Sequence, residues 1–437
     1  MILLSTTTIV SSIAIFLVVI LALVGLLLFA KAKLMPSGTV KITINAEKEI
    51  EVESGSTLLT TLSNAGIFLP SACGGGGTCV QCTCQVHSGG GSILPTEEPH
   101  FSRKEIADNF RLGCQVKVKE DMKIEIPEEV FGVKKWEATV VSNYNVATYI
   151  KEFIVEVPED MPYEAGGYIQ IEIPNCEVPF TEMDITAHPE DHPGEPNKFD
   201  KDWAEGPFAM RGLVMKNDEE IVRAYSMASY PAEGRKIMLN IRVAAPPFDR
   251  DKGTWADINP GVASSYIFGR KAGDKVTISG PYGEFFINHS DAEMLYIGGG
   301  AGMAPMRSHL YELFKTLKTG RKVSYWYGGR SKAELFYIEH FRSLEREFSN
   351  FKFYLVLSDA QEGDQWKEMK DMNDTEGDGF VGFVHNAVID QYLSKHEAPE
   401  DIELYFCGPP MMNQSCINML LELGVDGEDI MLDDFGG

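Results

Sequence analysis

The sequence is poor in the features that mark several classes of protein. Its 437 residues include only 8 cysteines, and 39 basic residues stand against 64 acidic ones, giving a formal net charge of −25. A chain this long with so little cysteine is not a secreted disulfide scaffold. Nonspecific nucleic-acid binding needs a cationic surface, so the acidic balance argues against a nucleic-acid partner. Internal repeats and low-complexity tracts are also lacking, which favours a globular chain of several domains.

Charge is missing altogether from the run Ile9–Ala30, which matches the roughly 20 helical residues needed to cross a bilayer core. The residues before it contain no basic side chain, and the run is longer than the apolar core of a signal peptide. A retained anchor is therefore favoured over a cleaved signal. Lys31 and Lys33 follow at once, so the positive-inside bias predicts an outward N-terminus and a cytoplasmic remainder with reduced thiols.

Half of the cysteines crowd into one glycine-rich segment, SACGGGGTCVQCTC, between Cys73 and Cys84. The spacing C-x5-C-x2-C lacks the two C-x2-C pairs that are usual in zinc sites. Glycine allows backbone N–H groups to approach the sulfur atoms of a cluster closely. The segment therefore favours an iron–sulfur cluster. With the distant Cys114 there are five thiols for four places, and the spacing alone does not choose between Cys82 and Cys84.

The hydrophobic patterns after the anchor predict three successive folds. VKITINAEKEIEV indicates a hairpin, TLLTTLSNAG a short helix and CTCQVHSG a strand. From Phe131 to about Asn288, short alternating runs separated by turn residues predict an antiparallel β-barrel. From Asp291 onward a strand, a glycine turn, an amphipathic helix with Pro305 in its first turn, and three further strands predict an α/β domain with a parallel sheet.

A Pro- and Asp-rich excursion between Asn175 and Glu220 breaks the rhythm of the barrel strands. Its His188, Asp191 and His192 offer the side chains of a metal site. A solvated loop is the favoured interpretation, because nothing in the sequence orders these ligands.

Three motifs resemble the ferredoxin–NADP reductase superfamily: RAYS (Arg223–Ser226), GVASSYIF from Gly261, and CGPPMM (Cys407–Met412). Arg223 and Tyr225 share one strand face, so the cation can meet a flavin phosphate while the ring packs on the isoalloxazine. The resemblance implies that Ser226 reaches flavin N5, although strict alternation places it on the opposite face. The glycine turn is no complete G-x-G-x-x-G, because Met303 occupies the last position.

The thiol segment resembles the 2Fe–2S ferredoxin domains, with a first gap like that of the vertebrate type. That resemblance implies Cys73, Cys79, Cys82 and Cys114 as iron ligands and leaves Cys84 as a small buried hydrophobe. The superfamily resemblance likewise implies catalytic roles for Ser226, Cys407 and Phe435. The cofactor-binding residues that it implies are Arg223, Tyr225, Ser226, Arg242, Gly261, Ser264, Gly298, Gly300, Gly302, Arg330, Asp359, Cys407, Gly408 and Phe435.

Three of these residues carry specific expectations. Asp359 stands where NADPH-using members have Arg, and a carboxylate accepts from ribose hydroxyls and repels a 2′-phosphate, so NADH is predicted as the substrate. Arg330 offers a positive charge that would counteract this repulsion. Phe435, followed by two glycines, is expected to stack on the flavin where the nicotinamide must later lie; the alternative is a phenylalanine that fills a gap in the core.

The predicted order is an anchor (1–35), a ferredoxin-like β-grasp 2Fe–2S domain (36–130), an FAD-binding β-barrel (131–288, insertion about 175–220) and an NADH-binding domain (289–437). Over its full length this resembles the NADH-oxidising subunits of bacterial sodium-translocating NADH:quinone oxidoreductases. The resemblance implies FAD, a 2Fe–2S cluster, NADH as substrate, and an inner-membrane location.

It also implies that electrons pass singly to integral membrane subunits of the same complex, with quinone reached only indirectly. The predicted helix Ile9–Ala30 contains no charged side chain that would form a path for sodium ions. The alternatives are a membrane-anchored NADH reductase that serves an oxygenase or hydroxylase, and a non-enzymatic cluster-carrying module. A flavin that bleaches with NADH would exclude the latter, and co-purifying integral subunits would argue against the former.

Overall fold

The computed structural model describes residues 6–34, 38–206, 208–427 and 430–434. The chain divides into two compact units. The first comprises Met1–Leu69 and Gly75–Phe131, and the second comprises Pro70–Gly74 and Gly132–Gly437.

The first unit contains one long helix and a small mixed α+β fold. Its elements are α1 (Thr6–Leu34), β1 (Thr39–Ile44), β2 (Lys48–Glu53), α2 (Leu58–Asn64), β3 (Thr83–Ser88), α3 (Arg103–Ala107), β4 (Phe110–Leu112) and β5 (Met122–Glu125). Within the part of the chain that the structure describes, no helix has a stretch both long and apolar enough to cross a membrane.

The five strands form one sheet in the order β2-β1-β5-β3-β4, in which β1 and β5 run parallel at the centre. The hairpin predicted from the alternating pattern is confirmed, since β1 pairs with β2 in antiparallel register from Thr39 with Glu53 to Ile44 with Lys48. Thr57 caps α2, its hydroxyl accepting from the Thr60 N–H. The core lies between this helix and the sheet, around Ile42, Leu62 and Ile124. This is the predicted β-grasp arrangement.

The first half of the second unit is antiparallel. Its elements are β6 (Lys134–Ala147), β7 (Ile150–Glu156), β8 (Tyr168–Ile173), β9 (Cys176–Pro179), α4 (Asp200–Ala204), β10 (Val214–Asn217), β11 (Ile221–Ser226), β12 (Lys236–Arg242), β13 (Phe248–Asp249), β14 (Thr254–Trp255), α5 (Val262–Phe268) and β15 (Lys275–Tyr282). Six strands form a sheet in the order β11-β8-β15-β6-β7-β12. A bridge between Met227, directly after β11, and Leu239 of β12 connects the two edges, so the sheet closes on itself as a barrel.

The insertion after Asn175 packs on the barrel through several buried side chains, while residues 193–198 are exposed. It begins and ends on the two-stranded ladder of β9 and β10. Trp203 of α4 is fully buried in the barrel core and donates its indole N–H to the carbonyl of Thr148 at 2.7 Å. His188 is also buried, so the prediction of a solvated loop was wrong for this residue, because the barrel supplies partners for it.

The second half of this unit is parallel. Its elements are β16 (Met294–Gly299), α6 (Met303–Tyr311), β17 (Val323–Gly329), α7 (Ile338–Glu347), β18 (Phe351–Leu357), β19 (Phe380–Val381), α8 (Val384–Gln391), β20 (Glu403–Cys407), α9 (Pro410–Glu422) and β21 (Met431–Leu432). The strands form one parallel sheet in the order β19-β18-β17-β16-β20-β21, with a buried core on each face.

Helix α6 differs from the predicted amphipathic helix, because every residue from Met303 to Leu310 is buried. The sheet covers one side and the barrel covers the other. Arg307 donates to the carbonyl of Ala228 at 2.7 Å, and the Ser308 hydroxyl donates to the carbonyl of Ser229 at 2.8 Å. The polar residues of the helix thus face the barrel instead of water.

Candidate functional site

The glycine-rich segment of the first unit brings thiols together. The Cys82 side chain hydrogen-bonds with Cys114, and this bond, followed by burial and by the charges of Cys114 and Cys79, raises the pKa of Cys82. The Gln115 amide donates to Cys114 Sγ at 3.7 Å. Gly77 has φ +79, where a side chain would be strained and where its Cβ would lie 2.7 Å from the Gln115 amide nitrogen.

The paired thiols and the Gln115 amide that donates to sulfur fit a thiolate-held cluster. Cys73, the remaining predicted ligand, lies in the segment Pro70–Gly74 of the second unit. Across the described residues, no group of three or more His, Cys, Asp or Glu side chains is arranged to hold a metal ion.

The fifth thiol lies elsewhere. Cys84 belongs to the main core of the first unit, whereas Cys82 and Cys114 form a separate small cluster with Leu112. Burial raises the pKa of Cys84 to about 12, although the charge of Arg111 acts in the opposite direction. This location supports the prediction that Cys84 is a small hydrophobe and not a ligand.

A buried ion pair that sequence reasoning missed supports the strand before Cys114. Glu97 is fully buried, and its carboxylate accepts from Arg111 Nη2 at 2.7 Å and from the Leu112 N–H at 2.9 Å. Arg111 also donates to the carbonyls of Gly90 and Gly91, both at 3.1 Å. The pair therefore fixes β4 and the chain that leads to Cys114. No sequence motif marks it, because a single Glu and a single Arg are ordinary surface residues.

The predicted flavin strand is β11, an edge strand of the barrel sheet. Arg223 and Tyr225 pair with Ile171 and Ile169 of β8 and lie on one face, as alternation predicts. Tyr225 packs against the barrel core, and burial raises its pKa. The Arg223 guanidinium donates to the carbonyl of Val222 at 2.8 Å and remains half-buried.

The second flavin motif forms the start of α5. Gly261 precedes the helix, which begins without a side-chain cap, and the Gly261 N–H donates to the carbonyl of Ala244 at 2.8 Å. The Ser264 hydroxyl accepts from the Ala244 N–H at 3.1 Å and donates to the Gly261 carbonyl at 3.2 Å. A side chain at Gly261 would meet the Ala244 Cβ at 2.5 Å. Arg242 ends the neighbouring strand β12.

The glycine turn and the CGPPMM motif meet at the carboxyl ends of the parallel strands. Gly298 of β16 pairs with Cys407 of β20. A Cβ on Gly302 would lie 2.0 Å from the Cys407 carbonyl oxygen, so only glycine fits there. Gly300 has φ +56, and Gly408 follows β20 directly. Open α/β sheets bind ligands at this edge.

Ser226, the last residue of β11, contacts the chain at this edge of the parallel sheet. Its hydroxyl donates to Asp433 Oδ2 at 2.6 Å, and the Asp433 N–H donates to the Phe406 carbonyl at 3.2 Å. Burial, with the charge of Asp434, raises the pKa of Asp433 to about 6 despite the bond from Ser226. Burial, with the charges of Asp433 and Asp434, raises the pKa of Cys407. The structure thus joins the flavin strand to the nicotinamide sheet through a carboxyl group that sequence reasoning did not select.

The two residues predicted near the nucleotide ribose are neighbours. Arg330 follows β17 and Asp359 follows β18, and the Asp359 N–H donates to the Arg330 carbonyl at 2.8 Å. Both residues are exposed. Phe435 lies outside the described residues, and its stacking on the flavin stays a prediction. The metal site that was the disfavoured alternative for His188, Asp191 and His192 is not found among the described residues, and His192 Nε2 lies 3.2 Å from the carbonyl of Val146.

Three family models match successive parts of the chain. They are the 2Fe-2S iron-sulfur cluster binding domain over residues 42–119, the oxidoreductase FAD-binding domain over residues 207–287 and the oxidoreductase NAD-binding domain over residues 296–417.

Two solved structures share the fold at low identity. A cytochrome P450 reductase of Amycolatopsis is 22% identical with a TM-score of 0.60, and the match covers 91% of this chain and 99% of that one. The ferredoxin reductase in carbazole 1,9a-dioxygenase is 21% identical with a TM-score of 0.56, over 91% and 99%.

Full-length relatives are much more similar. The F subunit of the Na(+)-translocating NADH-quinone reductase of Neisseria meningitidis serogroup B is 52% identical over 431 residues, which is 98% of this chain and 100% of that protein. The protein of the same name from Pasteurella multocida is 52% identical over 429 residues, 97% of this chain and 98% of its own.

Proposed function

Because this chain belongs to the family of F subunits of the Na(+)-translocating NADH-quinone reductase, we propose which of its residues bind NADH and the cofactors that accept its electrons. The chain is the NADH-oxidising electron-input subunit of that complex, with a 2Fe–2S, an FAD-binding and an NAD-binding domain. Bound FAD supplies the conversion of a two-electron hydride into single electrons, and the cluster accepts those one at a time.

The flavin half of the site is assigned to the barrel. Arg223 supplies a cation for a flavin phosphate, and Tyr225 supplies an apolar ring face beside it. The turn from Gly261 to Ser264 and the neighbouring Arg242 complete the phosphate-binding side. The start of α5 without a side-chain cap supports this assignment, because a helix N-terminus favours an anion.

The nicotinamide half is assigned to the edge of the parallel sheet. Gly300 leaves the backbone of the turn open to a pyrophosphate, and α6 starts directly after Gly302. Gly298 and Gly302 instead allow close packing against Tyr325 and Cys407. Cys407 and Gly408 border the same edge. Arg330 and Asp359 extend it toward the adenosine part of NADH.

The observation that carries the proposal is the Ser226–Asp433 hydrogen bond of 2.6 Å. It brings the last residue of the flavin strand against the last strand of the nicotinamide sheet, which is where hydride transfer between two cofactors must occur. A hydroxyl and a carboxyl group of raised pKa can hold a proton there, at Ser226 Oγ or Asp433 Oδ2. Cys407 borders this junction as a neutral thiol, because burial disfavours its thiolate.

The cluster is assigned to Cys73, Cys79, Cys82 and Cys114 in a domain over residues 36–130. The contact between Cys82 and Cys114 and the separate location of Cys84 support this set. The flavin and nicotinamide domains are assigned to residues 131–288 and 289–437.

The membrane arrangement rests on the sequence. Residues 1–35 would anchor the chain once in the bacterial inner membrane, with the N-terminus outside and the cofactor domains in the cytoplasm. Other subunits of the complex would receive the electrons, and quinone reduction and sodium transport would take place in them, because Ile9–Ala30 contains no charged side chain.

The test uses the full-length chain in detergent. The purified protein should show flavin and 2Fe–2S absorption, and NADH should bleach the flavin band and produce the paramagnetic signal of a reduced cluster. Ser226→Ala should retain FAD, but NADH should reduce this FAD about 100-fold more slowly, since hydride transfer depends on alignment. A protein without flavin, or with a flavin that NADH does not bleach, would contradict the proposal.

A further inference from the structure

A buried hydroxyl of the nicotinamide domain is held by two side chains of the barrel. Tyr337, which directly precedes α7, is 0% exposed, and its hydroxyl donates to Glu152 Oε2 at 2.6 Å and accepts from Asn240 Nδ2 at 2.9 Å. Glu152 and Asn240 are directly opposite each other on β7 and β12. One side chain thus joins two barrel strands to the sheet that is assigned to NADH.

The insertion closes these contacts into a ring. His188 Nε2 lies 3.2 Å from Glu152 Oε1, and His188 Nδ1 lies 3.4 Å from Asp191 Oδ2. Asp191 Oδ1 then accepts from the backbone N–H of Tyr337 at 3.3 Å. The ring runs from the Tyr337 hydroxyl through Glu152, His188 and Asp191 back to the Tyr337 backbone. The insertion is itself fixed to the barrel, because the His188 N–H donates to the Asn145 carbonyl at 2.7 Å.

The hydrogen-bonded charge pair of this ring is His188 with Glu152, whereas burial raises the pKa of Asp191. Burial disfavours the imidazolium of His188, but the hydrogen bond and charge of Glu152 and the charge of Asp191 outweigh it and raise the pKa of His188. Burial also opposes ionisation of Glu152, yet His188 and the Tyr337 hydroxyl lower its pKa. Buried charges are tolerated when they are paired and hydrogen-bonded in this way.

The backbone at Tyr337 is strained. Its φ is +57, in the left-handed region that a residue with a bulky side chain rarely adopts. Such a conformation persists where the surroundings over-determine it, and it is found where geometry matters for function. Here the surroundings are the ring residues and Arg307, whose guanidinium lies 5.9 Å from the centre of the Tyr337 ring.

Tyr337 ends the segment that leaves the carboxyl end of β17, and this segment also carries Arg330. Holding Tyr337 therefore holds one wall of the nucleotide crevice in relation to the barrel. Hydride transfer needs the reacting atoms about 3 to 3.5 Å apart, so the relative placement of the two halves controls its rate. The contacts that the insertion makes here are not needed to bind FAD, since the flavin residues lie on β11, β12 and α5.

We propose that Tyr337 is a positioning residue for hydride transfer, and that the insertion residues His188 and Asp191, together with Glu152, fix it there. This inference rests on the proposed function. It assigns the insertion the task of setting the nicotinamide half of the site against the flavin half.

The test is Tyr337→Phe in the full-length protein. It removes only the hydroxyl that reaches Glu152 and Asn240. FAD content and the signal of the reduced cluster should equal those of the parent. In stopped-flow measurements the limiting rate of flavin reduction should fall about tenfold or more while the NADH dissociation constant changes far less, because alignment is lost and nucleotide contacts are kept. The deuterium isotope effect with 4-deuterated NADH should be fully expressed.

Tyr354→Phe is the matched control. Tyr354 is a buried tyrosine of the same domain, and its ring stacks on Trp326 at 4.4 Å in the core on the other face of the sheet. The flavin of Tyr354→Phe should be reduced by NADH at the parental rate. Glu152→Gln should slow reduction as well, and the double variant with Tyr337→Phe should be no slower than the slower single variant if the pair acts as a unit.

The outcomes separate the two claims. A parent protein whose flavin NADH does not bleach would overturn the proposed function. If NADH bleaches the parent flavin and reduces the flavin of Tyr337→Phe equally fast, only the positioning role would be overturned. If Tyr337→Phe loses FAD, His188→Gln provides the same test from the insertion: slower reduction with FAD retained supports the role, and a parental rate overturns it.

Discussion

The hydroxyl of Ser226 lies 2.6 Å from Asp433 Oδ2, although the two residues are 207 positions apart in the chain. Strand β21 makes this possible, because it adds to the sheet beside β20 and ends directly before Asp433. The bond places the titratable carboxyl group of Asp433 against β11, the strand assigned to the flavin. The pH dependence of both stability and flavin reduction should therefore report on Asp433.

Asp433→Asn should remove that pH dependence. The pKa of Asp433 is raised from 3.8 to about 6, so its contribution to stability is fully present below about pH 4 and lost as the pH rises through about 6. The free energy of unfolding of the parent, relative to the variant, should therefore fall over this interval by up to about 3 kcal/mol. Thermal unfolding from about pH 4 to about pH 8 measures this difference.

The rate of flavin reduction should lose its inflection near pH 6 in the same variant. Asp434→Asn is the control, since it leaves the Asp433 carboxyl in place and removes a charge that raises its pKa. It should keep the inflection and move it to lower pH. An inflection that persists in Asp433→Asn would assign the titration to another group.

Cys114→Ala should abolish the paramagnetic signal of the 2Fe–2S cluster, because three thiolates leave one iron position open. NADH should still bleach the flavin, since the flavin and nicotinamide residues lie outside the first unit. Cys84→Ala is the matched control and should keep the signal, because Cys84 packs in the main core of the first unit. A cluster that survives in Cys114→Ala and is lost in Cys84→Ala would mean that the ligand set is wrong.

Local patterns predicted the secondary structure better than the contacts between distant elements. The hairpin of β1 and β2, the thiol segment and the strand–glycine–helix unit of β16 and α6 are each set by neighbouring residues, so spacing and periodicity were sufficient. Asp433 and Tyr337 were missed because their partners, Ser226 and Glu152, lie 207 and 185 positions away. Burial of α6 on all sides was missed for the same reason, since the barrel covers its polar face.

Asp359→Arg should narrow the preference for NADH over NADPH. Asp359 is exposed just after β18, its N–H donates to the Arg330 carbonyl, and the proposed site assigns its carboxylate to the ribose of NADH. Replacing it with a cation should raise kcat/KM for NADPH relative to NADH by about tenfold or more. Glu362→Arg makes the same charge change at an exposed neighbouring site and should leave the ratio unaltered. Equal ratios for the parent and Asp359→Arg would remove Asp359 from the recognition of the ribose.

Glu97→Gln should destabilise the 2Fe–2S domain. The Glu97 carboxylate is fully buried and compensates Arg111, which is itself only 5% exposed. The amide keeps the size of the side chain but leaves the Arg111 cation without a counter-charge. Breaking one side of a buried pair costs about 3 to 5 kcal/mol, much more than losing an exposed pair.

The loss should be confined to the first unit, because Glu97 and Arg111 both belong to it. Loss of cluster absorption in a denaturant titration should therefore occur at lower denaturant than in the parent, while NADH-dependent bleaching of the flavin is retained before that transition. Glu98→Gln changes an exposed neighbour by the same chemistry and should behave like the parent. If both variants lost the cluster at the parental midpoint, the buried pair would not be what holds β4 and the chain before Cys114 in place.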